Sequence, residues 1–255
     1  MAVAASSRRQ ATTGVTDQLL LFKPPAKRGG KRRGAGRKPK GLRAGSPHKQ
    51  RRELSGREPV HVTLRVASAV GNLRRRDAYR AIRQATITVA RHARFRIVQL
   101  SIQRTHLHLL VEADDKSALA SGMQGFQISA ARHLNAAVGK AQDAPRRRGV
   151  VFPDRYFAVV ITSPKQARHT LAYVMGNWRK HGEHREPQHQ SWLIDWYSSA
   201  HTFSGWRESD SGQTPWPMPA HYDPLVVHPP QTWLLLSGWR RHGLISCHEV
   251  PSAKC

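Results

Sequence analysis

The sequence predicts an α+β fold, a ferredoxin-like or RRM-like antiparallel sheet with helices packed on it. Three observations predict it. Several short runs alternate apolar and polar residues, the period of a half-buried strand. Between them lie longer runs whose apolar residues recur at helical spacing. From about residue 59 to 182 these segments follow the order β-α-β-β-α-β-α, the split βαβ plan, expected here with its helices on one side.

The first strand is "PVHVTLRV", where Val60, Val62, Leu64 and Val66 alternate with His61, Thr63 and Arg65. A helix over roughly residues 75–92 follows, with Tyr79, Ile82, Thr86 and Val89 on one side and arginines elsewhere. "FRIVQLSI" and "THLHLLVEA" are two strands separated only by Gln103 and Arg104, so they form a hairpin. "KSALASGMQGFQISAARHLNAAV" predicts a second helix despite its two glycines, and "VVFPDRYFAVVIT" holds the fourth strand. In "SPKQARHTLAYVMGNWRKHG", Ser163 suits an N-cap, Pro164 the first helical position and Gly182 the residue after the last turn. Leu171, Val174, Met175 and Trp178 make the apolar stripe of this third helix. Tyr173 and Asn177, one turn apart, fall on the side away from it.

Charge sets the partner class. The 255 residues carry 42 Lys+Arg against 16 Asp+Glu, a net of +26. That excess points to a polyanion, and nucleic acid before a membrane surface, because no run of 18 apolar residues occurs. The start of the chain has no secretory h-region, and Cys247 and Cys255 offer neither a disulfide framework nor a cysteine zinc site. A cytoplasmic, nucleoid-associated protein is the expectation. Residues 1–58 hold 16 Lys+Arg against Asp17, Glu53 and Glu58, a net of +13. Within them "KRGGKRRGAGRKPKG" has too little apolar surface to offset its ordering entropy, so 1–58 is predicted to be a disordered basic arm on DNA phosphates. The candidate phosphate contacts are Arg32, Arg33, Arg37 and Lys38 in the arm, and Arg74, Arg75, Arg76, Arg155, Arg179 and Lys180 in the folded domain.

"THLHLLVEA" carries the sharpest local signal. In a strand His106, His108 and Leu110 share one face, while Leu107, Leu109 and Val111 share the other. Two imidazoles about 7 Å apart on one face can grip one metal ion, or they can be two surface histidines. A His-hydrophobic-His strand followed some 65 residues later by a helix tyrosine resembles the HUH endonucleases. More narrowly it resembles the single-tyrosine transposases of insertion sequences and the REP-associated tyrosine transposases. "THLHLLVEA", "MQGFQISAARHLN", "VFPDRYFAVVITSPKQ" and "LAYVMGNWRKHG" carry the resemblance, which covers residues 59–182.

The resemblance implies a strand transferase that cleaves single-stranded, hairpin-bearing DNA through a 5′-phosphotyrosine. It assigns Tyr173 as nucleophile and His106, His108 and Asn177 as ligands of Mg²⁺ or Mn²⁺. Insertion-sequence members often carry Gln where this chain has Asn177, and the REP-associated branch often carries Asn. Either a monomer or a homodimer fits.

Residues 183–255 read as an irregular Trp- and Pro-rich extension, with "TWLLLSGWRRHGL" a short helix. Its six tryptophans suit either stacking on unpaired bases or packing onto the sheet. Two rival functions remain at this level. A non-catalytic nucleic-acid-binding protein on an RRM-like sheet requires aromatics on the sheet face, where the strands offer Val, Leu, Ile and His. A metal-dependent hydrolase would use His106 and His108 with Glu112 or Asp114.

Overall fold

The computed structural model describes residues 52–209 and 216–251. The predicted basic arm up to residue 51, with Arg32, Arg33, Arg37 and Lys38, lies outside the described residues. Four strands form one antiparallel sheet: β1 (Val60–Arg65), β2 (Phe95–Ile102), β3 (His106–Ala113) and β4 (Phe157–Val160). Their order, β2-β3-β1-β4, is the expected split βαβ arrangement. Among the described residues four α-helices accompany them, α1 (Arg76–Val89), α2 (Lys116–Ala141), α3 (Pro164–Lys180) and the single-turn α4 (Trp233–Leu236).

Strand alternation sorts the side chains onto two faces. Val60, Val62 and Leu64 of β1, with Leu107, Leu109 and Val111 of β3, pack against Ile82, Ala85, Met123 and Phe126 of α1 and α2. Each fully buried side chain of this size contributes roughly 1.5–3 kcal/mol. In β2 the apolar phase slips: Phe95 and Ile97 are two apart, but the next inward residues are Leu100 and Ile102. A bulge between Ile97 and Gln99 absorbs the extra residue and keeps all four on the same face. Of the three glycines in α2, Gly122 faces β2, and a Cβ there would meet the Phe95 ring at 2.1 Å. Helix propensity gives way to the close approach of β2.

The third helix departs from the expectation that all helices lie on one side. Leu171, Val174 and Met175 of α3 join a second core with Val98 of β2 and Leu110 of β3, residues of the opposite sheet face. The sheet is therefore covered on both faces. The predicted ends of α3 hold: the Ser163 side chain accepts from the Gln166 amide, Pro164 opens the helix, and Gly182 takes a left-handed conformation at φ 75°.

The outer side of α3 is covered by the chain that follows it. Trp196, Trp206, Trp216 and Trp239 are buried in the second core with Ile194, Leu234 and Ile245. Arg168 of α3 is paired with Glu249 and donates to the Leu244 carbonyl at 3.1 Å. Packing thus accounts for these four tryptophans, while Trp192 is half-buried and Trp233 is 50% exposed.

Candidate active site

β1 and β3 bring three histidines to the α3 face of the sheet. Their register sets Thr63 opposite His108 and Arg65 opposite His106, so His61, two residues from Thr63, points to the same side. The His61 and His108 rings stack with centroids 5.2 Å apart, and His61 Nε2 lies 3.1 Å from His108 Nδ1. Thr63 Oγ1 is 3.3 Å from the same Nδ1. The His106 and His108 centroids are 4.8 Å apart.

α3 supplies the other wall. The Tyr173 ring meets His108 edge-on with centroids 5.1 Å apart, and His61 at 5.8 Å. Two turns further on, His181 meets His106 at 5.5 Å. Asn177 lies between them on the same side of the helix, fully buried. The Lys180 ammonium sits 4.7 Å from the centre of the Tyr173 ring.

Three buried polar atoms here have no partner among the described residues. His108 Nε2 and both Asn177 side-chain atoms, Oδ1 and Nδ2, are buried with no hydrogen-bond partner. An unsatisfied buried polar group costs roughly 1–3 kcal/mol, so three together are a standing instability unless something binds there. Burial pushes the imidazoles down, His61 and His106 to about 4 and His108 to about 2, the last also through its histidine neighbours. All three are neutral near pH 7, and neutral imidazole is the form that binds a metal. A hydrogen on His108 Nδ1, donated to His61 Nε2, leaves the lone pair on Nε2, the unpartnered atom. His106, His108 and Asn177 therefore fit a divalent cation: two nitrogen donors and an amide oxygen, unpartnered at His108 Nε2 and Asn177 Oδ1.

His61, Thr63 and His181 were not singled out in the sequence. His61 was visible on the polar side of β1, but its place beside His108 depends on the β1–β3 register.

The carboxylates of the hydrolase reading are spent elsewhere. Glu112 shares the histidine face but lies about 13 Å along β3 from His108. Its buried carboxylate accepts from the Gln231 amide at 2.9 Å and the Thr232 amide and hydroxyl at 2.9 and 2.8 Å. Asp114 is half exposed and faces Arg94 and Arg96. The RRM-like reading loses its platform, because α3 and the tryptophan segment cover the face it would use.

A second group of donors, Glu208, Cys247 and His248, converges in the C-terminal segment. There Glu208 already accepts from the Ser246 hydroxyl and the Cys247 amide, and burial beside Glu208 pushes the thiol up to about 11.

The candidate phosphate contacts separate sharply. Arg75, Arg76 and Arg155 are exposed, and Lys180 is half-buried against Tyr173. Arg74 is corrected: it is buried, bidentate to Asp195 at 2.8 and 2.9 Å, with Glu183 at 3.4 Å. Its guanidinium holds the post-α3 segment to the fold and is closed to phosphate. Arg179 is likewise committed, donating to the Cys247 carbonyl at 2.6 Å and the Leu193 carbonyl at 3.1 Å.

The fold and this cluster define a class, an α+β domain with a tyrosine on a helix facing paired histidines on a central strand. Residues 60–177 match the family model described as "Transposase IS200 like". The matched stretch runs from the start of β1 to Asn177 of α3 and so includes the histidine pair and Tyr173. Two of the solved structures that match carry descriptions as transposases. One is a REP-associated tyrosine transposase bound to a REP hairpin, 19% identical, covering 53% of this chain and 74% of that one, with a TM-score of 0.41. The other, described as a transposase from Deinococcus radiodurans R1, is 14% identical over 55% of this chain and 95% of that one, with a TM-score of 0.35. No curated protein matches. Among the described residues no helix is long and apolar enough to cross a membrane.

Proposed function

We propose that the protein cleaves and rejoins single-stranded, hairpin-bearing DNA, with Tyr173 as nucleophile. The observation that carries this reading is the meeting of Tyr173 with His108, centroids 5.1 Å apart, beside the unpartnered His108 Nε2 and Asn177 Oδ1.

The Tyr173 oxygen attacks the scissile phosphorus and loses its proton. The bond from phosphorus to the 3′-oxygen breaks, and that oxygen takes up a proton to become a free 3′-hydroxyl. The DNA is left joined to Tyr173 through its 5′-phosphate. Attack by the 3′-hydroxyl of another strand reverses the step and restores the phenol. The phosphodiester energy is conserved in the covalent bond, so no nucleotide cofactor is needed. His106, His108 and Asn177 would hold the Mg²⁺ or Mn²⁺, whose bound charge polarises and orients the phosphate. Lys180, beside the phenol, adds positive charge where the phosphate gathers negative charge. His61 and Thr63 position His108 through its Nδ1. Exposed Arg75, Arg76 and Arg155, with the basic arm, supply sequence-independent phosphate contacts.

Strand transfer is the test. Single strands taken from the DNA flanking its gene, mixed with a labelled acceptor strand and Mg²⁺ or Mn²⁺, should yield a recombinant strand without any nucleotide. Cleavage that yields only hydrolysed ends, at a rate unchanged by Tyr173→Phe, would refute the reading in favour of a hydrolase.

A further inference from the structure

Away from the histidines, α1 and the segments after α3 enclose an open cleft of about 290 Å³. Its walls are five aromatic rings, Tyr79, Trp192, Trp196, Tyr197 and Tyr222, and its mouth carries Arg76 and Arg80. The rings are held from behind. The Tyr79 hydroxyl donates to the Asp223 carbonyl at 2.8 Å, and Tyr222 donates to the Ser198 carbonyl at 3.3 Å. Tyr197 lies over the Arg74 guanidinium at 4.6 Å, which Asp195 fixes in turn. Trp192 stacks on His189 at 4.2 Å, and the His189 ring is bonded to the Glu183 carbonyl at 2.8 Å. Tyr79, Trp192, Tyr197 and Tyr222 are thus oriented before anything binds, and the half-buried Trp192, Tyr197 and Tyr222 present surface to the cleft.

A cleft walled by rigid aromatic faces is built for a flat π-system, and its size suits one heterocycle with its sugar. The two exposed arginines at the mouth select for an anion attached to that heterocycle. A nucleotide of single-stranded DNA meets both conditions, since its base is free to leave the stack and its phosphate remains outside. A duplex does not, because its bases are paired and stacked. We propose that this cleft takes one unpaired base of the DNA substrate. The proposal rests on the reading that the protein acts on single strands. It also assigns a role to Trp192, a half-buried tryptophan that the second core leaves partly uncovered. Trp192 also meets Trp178 near the end of α3, centroids 6.4 Å apart.

The test compares the full-length protein's affinity for a labelled dT12 strand and for a 12-base-pair duplex. Trp192→Ala removes one stacking face, and Ala220→Trp fills the cleft from an exposed position without deleting any core atom. Each variant should weaken dT12 binding by about tenfold, the scale of one lost base stack, and leave duplex affinity within about twofold. Equal losses on both probes, or no loss with the folded Ala220→Trp variant, would overturn the proposal. Covalent adduct formation at Tyr173, assayed on the same preparations, separates the two ideas. A wild-type protein that prefers dT12 through the cleft yet forms no adduct would refute the catalytic reading alone.

Discussion

The two faces of the sheet are built from the same strands and obey different rules. Leu107, Leu109 and Val111 on β3 face a core of mainly apolar side chains. Their neighbours His106 and His108 face α3 among groups with unsatisfied hydrogen-bonding atoms. One face stores stability and the other spends it. Unpartnered buried polar atoms that also lie beside Tyr173 make the α3 face the candidate functional one.

The arginine run at residues 74–76 gives the largest expected effect and sharpens the contrast. Arg74→Ala leaves Asp195 buried and uncompensated, and should cost about 3–5 kcal/mol in a urea titration. Arg75→Ala and Arg76→Ala, both exposed, should change stability by less than about 0.5 kcal/mol and reduce the salt dependence of DNA binding. A mild Arg74→Ala would mean that the Asp195 pair does not anchor the post-α3 segment.

Neighbouring residues on β3 supply the next comparison. Leu109→Ala should lose about 2–5 kcal/mol through the cavity it leaves. Asn177→Leu removes two unpartnered polar atoms and should cost less than about 1 kcal/mol, while His108→Ala, which also strips His61 of a partner, falls between it and Leu109→Ala; both should lose DNA cleavage. If His108→Ala destabilises the protein as much as Leu109→Ala, the histidine is a packing residue and the two faces do not differ in kind.

Much of this was legible in the sequence. Alternation gave the strands, the Ser-Pro start and Gly182 bounded α3, and His-x-His with Tyr173 marked the candidate site. What could not be read depends on contacts between distant segments. The stripe on α3 says that it buries Leu171 and Trp178 but not against what; the partners include tryptophans 20 or more residues downstream. Composition cannot tell Arg74 from Arg75 and Arg76, because the acid that separates them, Asp195, is 121 residues away. His61 reads as one polar residue on an alternating strand until the β1–β3 register brings it to His108.

The pH dependence of stability is a smaller effect and probes the polar face alone. His61 and His108 are held neutral in the fold, with pKa values of about 4 and about 2, below the 6.5 of the unfolded chain. Between pH 6.5 and pH 4 the unfolded state binds more protons, so stability falls as pH falls through that window. Each histidine contributes about 1 kcal/mol per pH unit once the unfolded form is fully protonated. A His61→Asn, His108→Asn double variant should flatten the slope between pH 6 and pH 5, measured from urea midpoints. An unchanged slope would contradict the burial of neutral imidazoles on this face.

The central claim is that Tyr173 on α3 is the nucleophile. The most direct measurement incubates the protein with hairpin-bearing single-stranded DNA and Mn²⁺, denatures the mixture, and locates any DNA-linked peptide by mass spectrometry. A phosphotyrosine at Tyr173, absent in Tyr173→Phe while that variant keeps its fold and DNA affinity, is the predicted result. An adduct on Tyr156 or Tyr197, or cleavage by Tyr173→Phe with no adduct at all, would contradict the account.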